Sequence, residues 1–230
     1  MTRAHKTVWG AVATAVVLAL SACSSQGRAA SPKEVRKLAG STEAVQARQK
    51  TESRLRDVVR AYDDHTPLTL AMVVVRDTCL GGKGKQWFDS NGDDQYKIRC
   101  SMWVTAYYGA DRKRIVPVLD GILTAGDGTG SGIPFTHDTY GQFVDYYRGH
   151  GGHGEVPELS LPDHTLSWDP VRERRPDLMV KEPDKCPTDD LPLTRCVREP
   201  DAKTVATIRK QYGMVFKLDL ASPEYYKVSK

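Results

Sequence analysis

Four of the six histidines in this 230-residue sequence fall within one stretch, from His137 through His150 and His153 to His164. Imidazole nitrogens and carboxylates are the usual ligands of zinc, and the run from His150 to Glu155 places two histidines and a carboxylate close together. The run has neither the HExxH spacing nor that of a Cys/His finger. It predicts a metal site formed by His150, His153 and Glu155, with an ordinary exposed loop as the alternative.

Two other segments start like ligand-binding loops but do not complete their motifs. Residues 126–132 are rich in glycine, yet Ile133 follows where a phosphate-binding loop needs lysine and a hydroxyl residue. Residues 89–94 begin like a calcium loop, but Asp94 stands where glycine is needed and Cys100 where the last glutamate belongs. We interpret residues 126–132 as a flexible connector and residues 89–94 as a hydrophilic hairpin tip. The catalytic residues, if there are any, stay unknown.

Several aromatic residues could line a groove for sugars or peptides, or could simply pack in the core. Trp103 and Tyr107 are the most informative of them, because both fall on the polar face of an alternating segment. The aromatic residues considered are Trp103, Tyr107, Tyr108, Tyr140, Tyr146, Tyr147 and Trp168.

The first residues of the chain have the layout of an export signal. Arg3 and Lys6 form a short positive segment, and residues 8–20 are mostly apolar. A helix of this apolar segment would span roughly 20 Å, which is too short for the ~30 Å hydrocarbon core of a bilayer. The pattern therefore predicts a targeting segment and not a membrane span.

That segment ends in Leu20-Ser21-Ala22-Cys23. The run resembles the lipobox of bacterial lipoproteins at all four positions. The resemblance implies that a diacylglycerol is attached to the Cys23 thiol and that a signal peptidase cuts before this cysteine. Two acyl chains suffice for stable anchoring. We therefore expect a removed signal peptide at 1–22 and a lipidated flexible tether at 23–31, at the outer face of the cell membrane.

Charge and composition limit the partners of the chain. The formal charge is +4, and removal of Arg3 and Lys6 would lower it to +2 (4 − 2), so nothing favours nucleic acid. A single asparagine amid abundant alanine and arginine is typical of a GC-rich coding genome of the actinobacterial kind. The membrane is the one partner predicted, through the lipid. A protein or cell-wall ligand stays unknown, and no cofactor is expected beyond the covalent lipid and the metal hypothesis.

Four further cysteines indicate disulfides, since their number is even in a domain that we expect to be exported. Three connectivities are open. Pairing Cys79 with Cys100 and Cys186 with Cys196 is favoured because each pair brackets a turn-rich stretch.

The N-terminal half gives the clearest secondary-structure signals. Ser31-Pro32 predicts a helix start, and after Gly40 a second helix is expected to about Asp63. Residues 68–76 read as a central strand, and residues 95–108 alternate strictly, so together they predict a hairpin.

The second half is less regular. Residues 111–124 have helical spacing but contain Pro117 and Gly121, so the assignment stays open. A helix is predicted at 138–148 with Asp138 as its cap, and residues 155–200 read as a long proline-rich surface excursion.

The chain closes with a predicted helix, capped by Asp201 and ended by Gly213, and a strand from Met214. These elements predict one α+β domain at 32–230, in which an N-terminal helix packs on a mainly antiparallel sheet with long Gly- and Pro-rich loops.

The leading functional hypothesis is a membrane-anchored, extracytoplasmic domain for binding or envelope support, without catalysis. The alternative is an envelope hydrolase, metal-dependent or not, that uses the region of His137, His150, His153 and His164. A full set of catalytic roles cannot be assembled from these residues, which favours the first hypothesis.

Overall fold

The structure is a computed structural model that describes residues 29–82, 96–150, 154–186 and 193–230. The lipobox, residues 89–94 and His153 lie outside these ranges. Within them, no helix combines the length and the apolar character needed to cross a membrane. The elements are α1 (Pro32–Ala39), α2 (Thr42–His65), β1 (Thr69–Gly81), β2 (Tyr96–Ala110), α3 (Ile115–Asp127), α4 (His137–Arg148), β3 (Glu158–Leu161), β4 (His164–Trp168), β5 (Leu193–Glu199), α5 (Val205–Tyr212) and β6 (Met214–Ser229).

The strands form one six-stranded sheet in the order β3-β4-β6-β2-β1-β5, and every neighbouring pair is antiparallel. The predicted α+β class with an antiparallel sheet is therefore confirmed. The last strand along the chain, β6, lies in the interior between β4 and β2.

The hairpin of β1 and β2 forms as the alternating pattern predicts. Even-numbered residues of β2 such as Val104 and Ala106 are buried on one face, whereas Trp103 and Thr105 lie on the other. Cys79 is directly opposite Cys100 in the register, and the two form a disulfide. The second predicted disulfide, Cys186–Cys196, is also present.

Helices α1 to α4 cover one face of the sheet, which we call the helical face. Ser31 and Ser41 accept backbone N–H bonds at the starts of α1 and α2, as N-cap residues do. The apolar stripe of α2, with Leu55, Val59 and Tyr62, is buried against the sheet.

The open assignment at 111–124 resolves to helix α3, and the structure accounts for both residues that argued against a helix. Pro117 lies in the first turn, where the missing N–H would have had no helical acceptor. At Gly121 a Cβ atom would lie 2.7 Å from Cδ of Pro67, so the close approach requires glycine. The predicted cap of the next helix was wrong, because α4 begins at His137, after Thr136, and Asp138 lies inside its first turn.

The opposite face is covered by α5 and by residues 169–186, which we call the strap. Val180 of the strap and Ile208 of α5 are buried with Val74 and Tyr107 of the sheet. The prediction of one irregular excursion over 155–200 was wrong, because this segment contributes β3, β4 and β5. Thr204, and not the predicted Asp201, caps α5.

Candidate binding groove

The predicted histidine cluster does not come together in the structure. His137 lies at the start of α4, where its Nδ1 is 2.6 Å from Oδ2 of Asp127 and its Nε2 is 3.5 Å from Oδ1 of Asp120. The hydrogen bond to Asp127 raises the pKa of His137 above its ordinary value. This histidine therefore joins α3 to α4 in an exposed ion-pair group.

His164 has a different setting, on β4 at the helical face. Its Nε2 is 2.8 Å from the hydroxyl of Tyr62, and its ring contacts that of Phe135 edge-on. Burial lowers the pKa of His164 to about 4, so the ring is neutral at physiological pH. His150 follows the end of α4, where its backbone N–H binds Asp145.

The third predicted metal ligand, Glu155, is a buried carboxylate already supplied with donors. It accepts hydrogen bonds from the Tyr147 hydroxyl at 2.7 Å and from the backbone N–H groups of Val171, Arg172 and Glu173 at 2.6 to 3.0 Å. Its role in the structure is to hold the start of the strap. Across the described ranges, no group of three or more His, Cys, Asp or Glu side chains is arranged to hold a metal ion.

A groove of about 690 Å³ lies between the sheet and the strap. Its floor crosses four strands, with Ser167 from β4, Lys217 and Asp219 from β6, Thr105 from β2 and Arg76 from β1. These residues follow one another across the sheet because Thr105 is in register with Asp219, and Ser167 with Lys217. The floor is therefore a polar strip that crosses four strands of the sheet.

The strap is fixed over this floor at both ends. The buried carboxylate of Asp169 accepts the backbone N–H groups of Val180 and Val215, each at 3.0 Å, and two guanidinium bonds from Arg209 at 2.8 Å. The Cys186–Cys196 disulfide joins the other end of the strap to β5. A groove held in this way exists before any ligand arrives, which lowers the entropic cost of binding.

Several charged groups of the groove are paired with one another. Lys217 Nζ is 2.7 Å from Asp219 Oδ2 on the floor, and Arg175 lies 2.8 Å from Asp177 on the strap. A guanidinium nitrogen of Arg76 donates to the backbone carbonyl of Asp184 at 2.6 Å. The groove is therefore rich in donors and acceptors and carries charges of both signs.

Two buried donors in this region lack an acceptor among the described residues, namely the Nε–H groups of Arg76 and Arg198. Buried polar atoms are nearly always hydrogen-bonded, so each of these donors marks a place where a water molecule or a ligand can bind. Burial also raises the pKa of Tyr107, so its hydroxyl at the groove stays a neutral donor.

Trp103 lies next to the groove on the same face of β2. Its side chain is 43 % exposed, whereas Tyr108 and Trp168 are fully buried and Tyr107 is 2 % exposed. It is the only exposed large aromatic side chain in the part of the chain that the structure describes. Core packing thus accounts for those three of the aromatic residues considered above, but not for Trp103.

Most of the groove was missed at the sequence level. One usable signal was the alternation of β2, which placed Trp103 on a polar face. The final strand alternates in the same way and places Lys217 and Asp219 on one face. No sequence motif marks the strap residues as part of a groove, because their position depends on the buried carboxylates of Glu155 and Asp169.

Comparisons with known proteins identify no family for this chain. The chain matches no protein-family model, and neither curated proteins nor solved structures provide a match for it. What the fold and site define is a class: an α+β domain with a fully antiparallel sheet, four helices on one face and a strapped polar groove on the other.

Proposed function

We propose that this chain is an exported lipoprotein, tethered through lipid on Cys23 at the outer face of the membrane, whose domain binds a ligand in the strapped groove without catalysing a reaction. Support for the tether comes from the match of Leu20-Ser21-Ala22-Cys23 to the lipobox. The two disulfides are in keeping with an oxidising compartment.

The groove carries the binding part of the proposal. It is a concave site of about 690 Å³, a size typical of ligand pockets, and it is held open by Asp169 and a disulfide. Its polar lining includes an unpaired buried donor on Arg76. Polar groups that are held in fixed positions within a concave site are expected where a ligand is recognised.

We propose that the domain is not catalytic because of the residues that line the groove. Among the described residues that form the groove there is neither a histidine nor a cysteine, and the carboxylates of Glu155, Asp177 and Asp219 are already bound by hydrogen bonds or ion pairs. The three described histidines of the hydrolase alternative have separate partners: His137 binds Asp127, His164 binds Tyr62, and His150 binds only through its backbone. No observation favours the hydrolase over the binding domain.

Filling the groove tests the binding function. Thr105→Trp places a large side chain on the half-buried floor, whereas Thr129→Trp fills a separate open cavity of about 810 Å³ beside the glycine-rich loop. Both variants and the wild type are screened by calorimetry against glucose and N-acetylglucosamine oligosaccharides, short peptides and fatty acids. Melting curves check that each variant is folded, and Ser167→Trp replaces Thr105→Trp if the latter fails to fold.

A ligand that binds the wild type and Thr129→Trp, but not Thr105→Trp, supports the groove. Binding that is lost only in Thr129→Trp, or no binding by any compound, contradicts it.

The tether is tested separately with Cys23→Ala. We expect the variant to accumulate as an uncleaved or mislocalised precursor, and inhibition of the lipoprotein signal peptidase to have a similar effect on the wild type. Normal processing of Cys23→Ala with unchanged membrane fractionation contradicts the tether. This result is independent of the groove experiment.

A further inference from the structure

We propose that the ligand of the groove is an uncharged oligosaccharide, one of whose pyranose rings stacks on Trp103. The inference rests on the proposed binding function and specifies the class of ligand. It follows from the exposure of Trp103, from the paired charges of the floor, and from the direction of the groove across the strands.

Exposure of Trp103 is the first observation. An indole at 43 % exposure leaves apolar area in water, and its cross-strand neighbours are Arg76 on one side and Ala221 on the other. The carbon-bound hydrogens on one face of a pyranose ring form an apolar surface that fits a flat aromatic ring. Stacking on Trp103 would remove both surfaces from water, and the small side chain of Ala221 leaves room on the β6 side.

Pairing of the charges is the second observation. A strongly charged ligand would have to displace partners that lie 2.7 Å apart at Lys217 and Asp219. A sugar hydroxyl both donates and accepts, so it can bind the carboxylate and the ammonium group while they remain paired. Thr105 donates to Asp219 at 2.9 Å, which adds a hydroxyl to the same row. This chemistry is complementary to a neutral polyol.

The direction of the groove is the third observation. It crosses β4, β6, β2 and β1, and adjacent strands lie about 4.8 Å apart. That spacing is close to the length of one pyranose unit in a glycan, so polar groups recur along the groove about once per sugar. A peptide that binds by adding a strand would instead need a free strand edge, and these inner strands are already paired on both sides.

The test uses the full chain in a detergent without a sugar headgroup, and titrates it with tetrasaccharides of glucose and of N-acetylglucosamine by calorimetry. We expect at least one tetrasaccharide to bind. Trp103→Ala and Trp103→Leu should weaken binding about tenfold or more, whereas Trp103→Phe keeps a stacking ring and should stay within about threefold of the wild type. Leu80→Ala removes another exposed apolar side chain, and it should bind as the wild type does.

Comparison with the groove experiment separates the two proposals. If peptides or fatty acids bind in a manner sensitive to Thr105→Trp and no sugar does, the oligosaccharide is wrong and the binding groove stands. If a sugar binds equally well to Trp103→Leu and to the wild type, the stacking role is wrong. If no compound of any class binds, both proposals are wrong.

Discussion

Asp169 and Arg209 form a two-point ion pair in which both guanidinium bonds measure 2.8 Å. Asp169 is 1 % exposed and lies at the start of the strap, while Arg209 comes from α5. The same carboxylate accepts the backbone N–H groups of Val180 and Val215. One side chain therefore joins the strap, α5 and β6, and the hydrogen bond with Asp169 raises the pKa of Arg209.

We predict that Asp169→Ala lowers the free energy of unfolding by about 3 kcal/mol, because it leaves a partly buried guanidinium and two buried N–H groups without their acceptor. Urea denaturation measures the change. Asp177→Ala is the matched control: this aspartate also lies in the strap and binds an arginine, Arg175, but in solvent. Its removal should leave stability essentially unchanged. Equal effects of the two substitutions would contradict the anchoring role of Asp169.

A pair of helix glycines gives a second prediction, with opposite signs. A Cβ atom at Gly121 of α3 would lie 2.7 Å from Cδ and 2.8 Å from Cγ of Pro67, whereas one at Gly141 of α4 meets no atom within 4 Å. Gly141→Ala should raise the free energy of unfolding by about 0.5–1 kcal/mol through helix propensity. Gly121→Ala should lower it, since the rigid proline ring must move. Thermal melting of both variants measures this, and stabilisation by Gly121→Ala would contradict the packing.

The partly buried ring of His164 predicts an acid-sensitive fold. Its pKa is about 4 in the folded protein and 6.5 in the unfolded chain, so between these values only the unfolded chain takes up the proton. Stability is therefore full above pH 6.5 and falls as the pH drops towards 4, by roughly 3 kcal/mol in total.

The comparison variant is His164→Gln, which keeps a partner for the Tyr62 hydroxyl but does not titrate. The free energy of unfolding, measured at pH 7, 6, 5 and 4, should fall more steeply for the wild type. His137 acts in the opposite sense, because its raised pKa adds stability at low pH that is lost as the pH rises. His137 is present in both proteins, so its contribution cancels when the two free energies of unfolding are subtracted. Parallel profiles would show that His164 is not the cause.

Sequence reasoning succeeded where a signal is local. Ser31 and Pro32 begin a helix by capping geometry, and β2 is recognised by its own alternation. It failed where the partner is distant. The short strands β3 and β4 lie among prolines, and this hairpin joins the rest of the sheet only where β4 pairs with β6, more than forty residues further along. Glu155 looked like a metal ligand because its four donors become its neighbours only after folding.

The position of β6 has a consequence for the order in which the domain can be assembled. A ribosome produces β6 after the other five strands, yet the β3–β4 hairpin reaches β2 only through it. Until β6 is made, the β3–β4 hairpin and the strands β5, β1 and β2 cannot join into one sheet. A polypeptide that cannot close its core early stays unfolded for longer, which is compatible with the export that we propose for this chain. A premature stop codon before β6 would leave those two pieces permanently unjoined.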